Sequence, residues 1–352
     1  MSGVNREEKL MKTTYLKAKY QFKQIDVDVP QIGRDEVLLK VKACGFCGHE
    51  MILARYAAED WTPFGHEISG VVEQVGSNVT NLKVGDRVVV ETSTFDPCSA
   101  AARNGHPELD GLGQSDLINY ICTRDVMGFS EYTAVPAALC VKFESMSFEE
   151  GALIEPMGVA LDLFKVSGVE LGDDVLVIGL GAIGLMALQM VKRAGARHVY
   201  AAGTSRSPKK NEMALKMGAE KVFLTDKEDL RSLKFPRGGV DKILVTAPPR
   251  VITDAVHLMN LGGVLSFIGI AYGEEAMFTL DSNVVHHKKM QIRASDAVPA
   301  LYFPLCIDLV QSGQIDLKPL ITHRFPLENA VEGLMDFIEH PAEGIKAVMV
   351  QP

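Results

Sequence analysis

The stretch ACGFCGHEM, residues 43–51, gathers two thiols, an imidazole and a carboxylate within a few positions. Cys44 and Cys47 have the spacing C-x-x-C, which suits a metal site or a dithiol redox pair, and also arises from composition alone. Further on, His66 and Glu67 stand in GHEISGVVEQVG, and Glu155 stands in EEGALIEP. Thiolate, imidazole and carboxylate are all competent zinc ligands. A catalytic zinc keeps three protein ligands and one open position for water or substrate. Carboxylates flanked by apolar residues are costly to bury without a cation, and Glu67 and Glu155 are both so flanked.

A second group could hold a nucleotide. Gly179, Gly181 and Gly184 form G-x-G-x-x-G, with Ala182 and Ile183 between the last two. The apolar run VLVIG precedes the turn and IGLMALQMVKRAG, patterned as a helix, follows it. In such a unit the first glycine makes the tight turn, the second admits a pyrophosphate, and the third lets helix pack on strand. The helix N-terminus then faces the phosphate charge. About 20 residues beyond such a turn, an acid would hold the ribose 2′-OH of NAD. The segment GTSRSPKK, residues 203–210, contains no acid. Ser205, Arg206 and Lys210 stand there, and cations favour a 2′-phosphate, so NADP is expected over NAD, with NAD possible. Ala247 and Ile268, near the ends of later strands, complete the candidate cofactor contacts.

These groups need a scaffold. The first 150 or so residues read as short strands: DEVLLKVKACG alternates as a half-buried strand does, and GHEISGVVEQVG and KVGDRVVVET follow between glycine turns. Residues 91–128 are polar and rich in glycine and alanine, an excursion from the sheet. From Leu171 strands and helices alternate, which predicts a parallel, doubly wound sheet. Within it, DAVHLMNLGGVLSFIGIAY reads as helix, glycine stop, strand. The N-terminal MSGVNREEKLMK reads as a loose polar tail without a signal-peptide core.

The 352 residues carry a net charge of -9, which disfavours nucleic acid. No apolar run is long enough for a membrane helix. Six sparse cysteines make no disulfide framework and fit a reducing cytoplasm.

Taken in order, ACGFCGHE, GHEISGVVEQVG, GFSEYTAVP, FEEGALIEPMGVAL, VLVIGLGAIGL and ITHRFPLENAVEGL resemble the zinc-dependent medium-chain dehydrogenases, close to their sorbitol or polyol dehydrogenase branch. The resemblance implies a GroES-like β-rich catalytic domain over residues 1–157 and 294–352, and a Rossmann domain over 158–293. It implies one catalytic zinc on Cys47, His66 and either Glu67 or Glu155, with Cys44 only packing beside it. It implies reversible oxidation of a secondary alcohol in a polyol, sugar alcohol or sugar derivative, with Lys346 helping to hold the cofactor pyrophosphate. A homotetramer or homodimer is implied too, built partly by extending the sheet around GGVLSFIGIAY.

Two departures from the resemblance matter. Many relatives hold a structural zinc with four cysteines, whereas DPCSAAARNGHPELD keeps only Cys98, with Asp110 at one of the other positions, so no structural zinc is expected. The family's Ser or Thr that relays the substrate proton is here His49, followed by Glu50. Glu50 can orient the histidine ligand, and His49 can take the proton itself or contact a polar substrate. The alternatives are a zinc-free quinone or enone reductase of the same superfamily, and a cofactor-binding protein without catalysis.

Overall fold

The computed structural model describes residues 10–110, 125–269, 271 and 273–352. Residues 1–9 of the expected tail, Cys122 in the excursion, and Ile270 and Tyr272 lie outside the described residues. From Leu10 the supposed tail is already strand.

Among the described residues, sixteen strands make three sheets. A small antiparallel sheet joins β1 (Leu10–Lys17), β2 (Gln21–Asp28) and β4 (Thr62–Pro63). The second contains β3 (Glu36–Gly45), β5 (Glu67–Val75), β6 (Arg87–Val90), β7 (Tyr132–Pro136) and β8 (Cys140–Lys142). It also takes in β15 (Ile321–Phe325) and β16 (Lys346–Val350), giving the order β15-β16-β3-β5-β6-β8, with β7 paired to β3. β3 is buried along nearly its whole length, with only Lys40 and Lys42 half-exposed. The sequence alternation suggested one wet face. The difference arises because β3 packs into two cores: Ala43 with the residues of the helix Ile154–Ser167, and Val37, Leu39, Val41 and Cys44 with Phe46, Phe64 and Phe129.

The third sheet is wholly parallel. It contains β9 (Asp174–Ile178), β10 (His198–Gly203), β11 (Lys221–Leu224), β12 (Val240–Val245), β13 (Met259–Phe267) and β14 (Gln291–Ala294). The order is β11-β10-β9-β12-β13-β14. The strand order therefore reverses between β9 and β12, and ligands bind at such a point beyond the carboxyl ends of the strands. β9 is a continuous buried run, as expected of a central parallel strand.

Three sequence expectations change here. The glycine stop in NLGGV is not a stop: β13 begins at Met259 and runs through Gly262 and Gly263, with a register shift against β12. The preceding α-helix is short, Ile252–Ala255, because a 3-10 turn, Val256–Leu258, intervenes before the strand. The segment GGVLSF is not a sheet edge either, since β14 pairs outside it.

The helix Ile154–Ser167 crosses the expected boundary between 157 and 158 and ties the two bodies together. Its buried residues share one core with Ala43 and Val89 of the second sheet and Val175 and Val177 of the third. No helix among the described residues is long and apolar enough to cross a membrane.

Candidate active site

β3 ends at Gly45, and the chain turns into a five-residue helix, Gly48–Ile52, capped by Cys47. The Cys47 sulfur accepts the His49 N–H at 3.4 Å, and Glu50 Oε2 accepts the Cys47 N–H at 3.0 Å. This is a capping box with sulfur where a hydroxyl usually stands. It fixes the direction of the thiol.

The other oxygen of Glu50, Oε1, accepts the Gly65 N–H at 2.7 Å and meets His66 Nδ1 at 2.9 Å. With Nδ1 engaged, Nε2 is the nitrogen left for a cation. Burial opposes a charge on His66. The Glu50 carboxylate and the Cys47 sulfur outweigh it and hold the imidazole well above its usual range. Burial likewise pushes the Glu50 carboxyl upward, but His66 and the two N–H donors bring it below the usual carboxylate range.

Glu67 opens β5 and lies opposite Gly45 across the ladder. Its Oε1 pairs with the Lys346 ammonium, which also donates to the Phe46 carbonyl at 3.0 Å. Its Oε2 is buried and accepts no hydrogen bond from the described residues. The ligand atoms of Cys47, His66 and Glu67 all lie within 4.8 Å of one another. A thiol, a correctly oriented imidazole and an unpartnered carboxylate oxygen thus converge, and that donor set fits zinc.

Cys44 lies outside this group. Its sulfur is fully buried where Gly65 and Gly128 leave room, since a Cβ at either position would come within 2.9 or 2.6 Å of it. Burial pushes its thiol well up. Glu155, in the first turn of the helix Ile154–Ser167, is also outside the group. It lines a small adjoining cavity with Thr92, Gly158, Tyr302 and Phe303. Burial raises its carboxyl to about 7. Of the two glutamates, Glu67 is the one gathered with the thiol and imidazole. His49 is half-buried beside the cluster, and burial together with the nearby His66 charge lowers its pKa.

The glycine turn lies where the parallel sheet reverses. Gly179 has φ +100°, and a Cβ there would meet the Ala247 nitrogen at 2.7 Å. A Cβ on Gly184 would stand 2.0 Å from the Gly179 carbonyl, so this glycine sets the packing of helix on strand. Gly181 caps the helix Ala182–Arg193 with no side-chain cap, and open space surrounds its Cβ position. An open cradle in front of unsatisfied helix N–H groups fits a pyrophosphate. Ile268 follows β13 and donates its N–H to Val245, at the same carboxyl edge.

The chain matches the alcohol dehydrogenase GroES-like domain over residues 33–145 and the zinc-binding dehydrogenase domain over 182–312. It is 32% identical to chicken (Gallus gallus) sorbitol dehydrogenase over 335 residues, covering 91% of each chain. It belongs to the zinc-dependent medium-chain dehydrogenase family. Among solved structures, Escherichia coli galactitol-1-phosphate dehydrogenase superposes with a TM-score of 0.81 at 26% identity, covering 97% of this chain and 100% of that one. An E. coli alcohol dehydrogenase complexed with NADH gives 0.84 at 25%, covering 97% and 99%.

In this dehydrogenase two expected cofactor contacts stand differently. Lys346 is not at the glycine turn: it is buried in the second sheet, and its ammonium is committed to Glu67 and Phe46. Ser205 is held by an acid absent from its own segment. Its N–H and hydroxyl donate to Asp226 at 2.8 and 2.6 Å. Arg206 is exposed and Lys210 half-buried, with burial lowering the Lys210 pKa. Reading along the chain missed Asp226 because the acid comes from the neighbouring strand; the signal was LTD at the end of β11. In the excursion, Asp110 accepts the Asp96 N–H at 2.6 Å, and Cys98 is exposed.

Proposed function

We propose that this dehydrogenase interconverts a secondary alcohol of a polyol, sugar alcohol or sugar derivative and the matching ketone, with one zinc and NAD(P). The observation that carries it is the gathering of half-buried Cys47 with buried His66 and Glu67, whose Oε2 is orphaned, beside a cavity lined by polar Thr92, Glu155 and Tyr302. Zinc held by Cys47, His66 and Glu67 would supply Lewis-acid polarisation of the substrate oxygen, and a bound nicotinamide would exchange the hydride. The chain's own residues do the rest. Glu50 fixes the His66 tautomer, and Lys346 fixes Glu67. His49 takes the place of a hydroxyl relay and moves the substrate proton. Gly181 and the helix behind it hold the pyrophosphate.

Polyol chemistry is supported by the kinship to sorbitol dehydrogenase and galactitol-1-phosphate dehydrogenase. NADP is the proposed coenzyme because two cations, Arg206 and Lys210, follow β10 and suit a 2′-phosphate. The proposed assembly is a homodimer or homotetramer joined at the edge of β14, which light scattering tests.

The first measurement is metal content per chain, on protein purified without chelator or a metal-affinity tag. About one zinc per chain, with turnover of a polyol lost in Cys47→Ala and His66→Ala while coenzyme still binds, is expected. About two zincs would overturn the single-site reading. No zinc, and no gain on adding it, would move the assignment to a zinc-free reductase or a non-catalytic binder.

A further inference from the structure

We propose that Asp226 selects between the two nicotinamide coenzymes, acting as the ribose-facing acid that the end of β10 lacks. The proposal rests on the dehydrogenase reading above.

The usual place is crowded. A Cβ on Gly203, the last residue of β10, would lie 2.5 Å from Asn211 Oδ1 and 2.9 Å from Leu180 Cδ1. Parallel pairing supplies it from next door. Gly203 is in register with Leu224, and Gly203 accepts the Thr225 N–H at 2.9 Å. Two residues beyond that register, Ser205 and Asp226 meet. The carboxylate takes the Ser205 N–H on Oδ1 and the hydroxyl on Oδ2. These two bonds hold the Asp226 carboxyl below its ordinary range, so it is an anion at neutral pH.

The consequence follows from charge. A carboxylate at the carboxyl edge of β10 accepts hydrogen bonds from ribose hydroxyls. Toward a 2′-phosphate it is a like charge, and it occupies both Ser205 donors that a phosphate oxygen would use. Arg206 acts in the opposite sense: it is exposed and has no acidic partner among the described residues. Selectivity is therefore the balance of Asp226 against Arg206, set on two strands rather than one.

The test is calorimetric titration of NADH and NADPH into the full chain, without substrate, for wild type, Asp226→Asn, Arg206→Ala and Ser205→Ala. Asp226→Asn is expected to shift the ratio of dissociation constants about tenfold toward NADPH, and Arg206→Ala about tenfold toward NADH. Asp226→Ser serves if the asparagine variant does not fold. A purely structural clip between the two loops would weaken both coenzymes alike, in Asp226→Asn and Ser205→Ala equally. An unchanged ratio in Asp226→Asn, with both coenzymes still bound, overturns the proposal. If wild type binds neither coenzyme, the dehydrogenase reading falls first and takes this one with it.

Discussion

Substituting Gly45 by alanine tests the metal group most directly. A Cβ at this position would lie 1.9 Å from Glu67 Oε2 and 3.1 Å from Lys346 Cε. Ordinary contact begins near 3.4 Å, so the carboxylate must retreat by about 1.5 Å. It has little room to do so. Glu67 is 1% exposed and Lys346 5%, and each holds the other. Retreat separates a buried ion pair, and leaving one member uncompensated costs about 3–5 kcal/mol. Gly45→Ala should therefore lose about that much unfolding free energy in urea, and bind zinc less than stoichiometrically. The reasoning fails if the variant stays within about 1 kcal/mol of wild type and keeps its zinc, because the pair would then be mobile rather than locked.

Other outcomes follow from the same geometry. Glu50→Gln can keep only one carbonyl oxygen, so its amide confronts either the Cys47 N–H or the His66 and Gly65 donors. Zinc affinity measured by chelator competition should fall about 10–100-fold. Gly184→Ala drives a Cβ to 2.0 Å from the Gly179 carbonyl, and should cost about 1–3 kcal/mol in denaturation together with weaker coenzyme binding in calorimetry. Glu91, at the start of the excursion, has its carboxyl raised by burial to about 8. The unfolded chain ionises it near ~4.3. Its contribution therefore favours the fold below that pH and is lost as pH rises to about 8. Between about pH 5 and about pH 8.5, wild type should lose roughly 2–4 kcal/mol more stability than Glu91→Gln; parallel pH curves would refute this.

What the sequence made legible was local. The glycine turn shows because its three glycines, the strand before and the helix after are contiguous, and each has its own steric reason. The metal residues are visible as residue types, but their grouping is tertiary: β3 and β5 must pair before Cys47 meets Glu67. Types alone could not choose between Glu67 and Glu155. That choice depends on where the helix Ile154–Ser167 starts relative to the second sheet. Lys346 was legible as a cation and assigned to the wrong anion, because a lysine in IKAVMV gives no sign that its strand lies beside β3. Asp226 was invisible for the same reason, in a parallel register instead of an antiparallel one.

The pairing of β16 with β3 has a consequence for the order of assembly. Lys346 donates to the Phe46 carbonyl across 300 residues of chain. Closing a loop of that length is slow, while the βα repeats between β9 and β14 are built from near neighbours. Only when Lys346 arrives does Glu67 gain its counter-charge. The Cys47, His66 and Glu67 group therefore depends on the last strand of the chain: a chain cut before Lys346 is expected to leave Glu67 without its counter-charge, and zinc titration of the cut chain checks this.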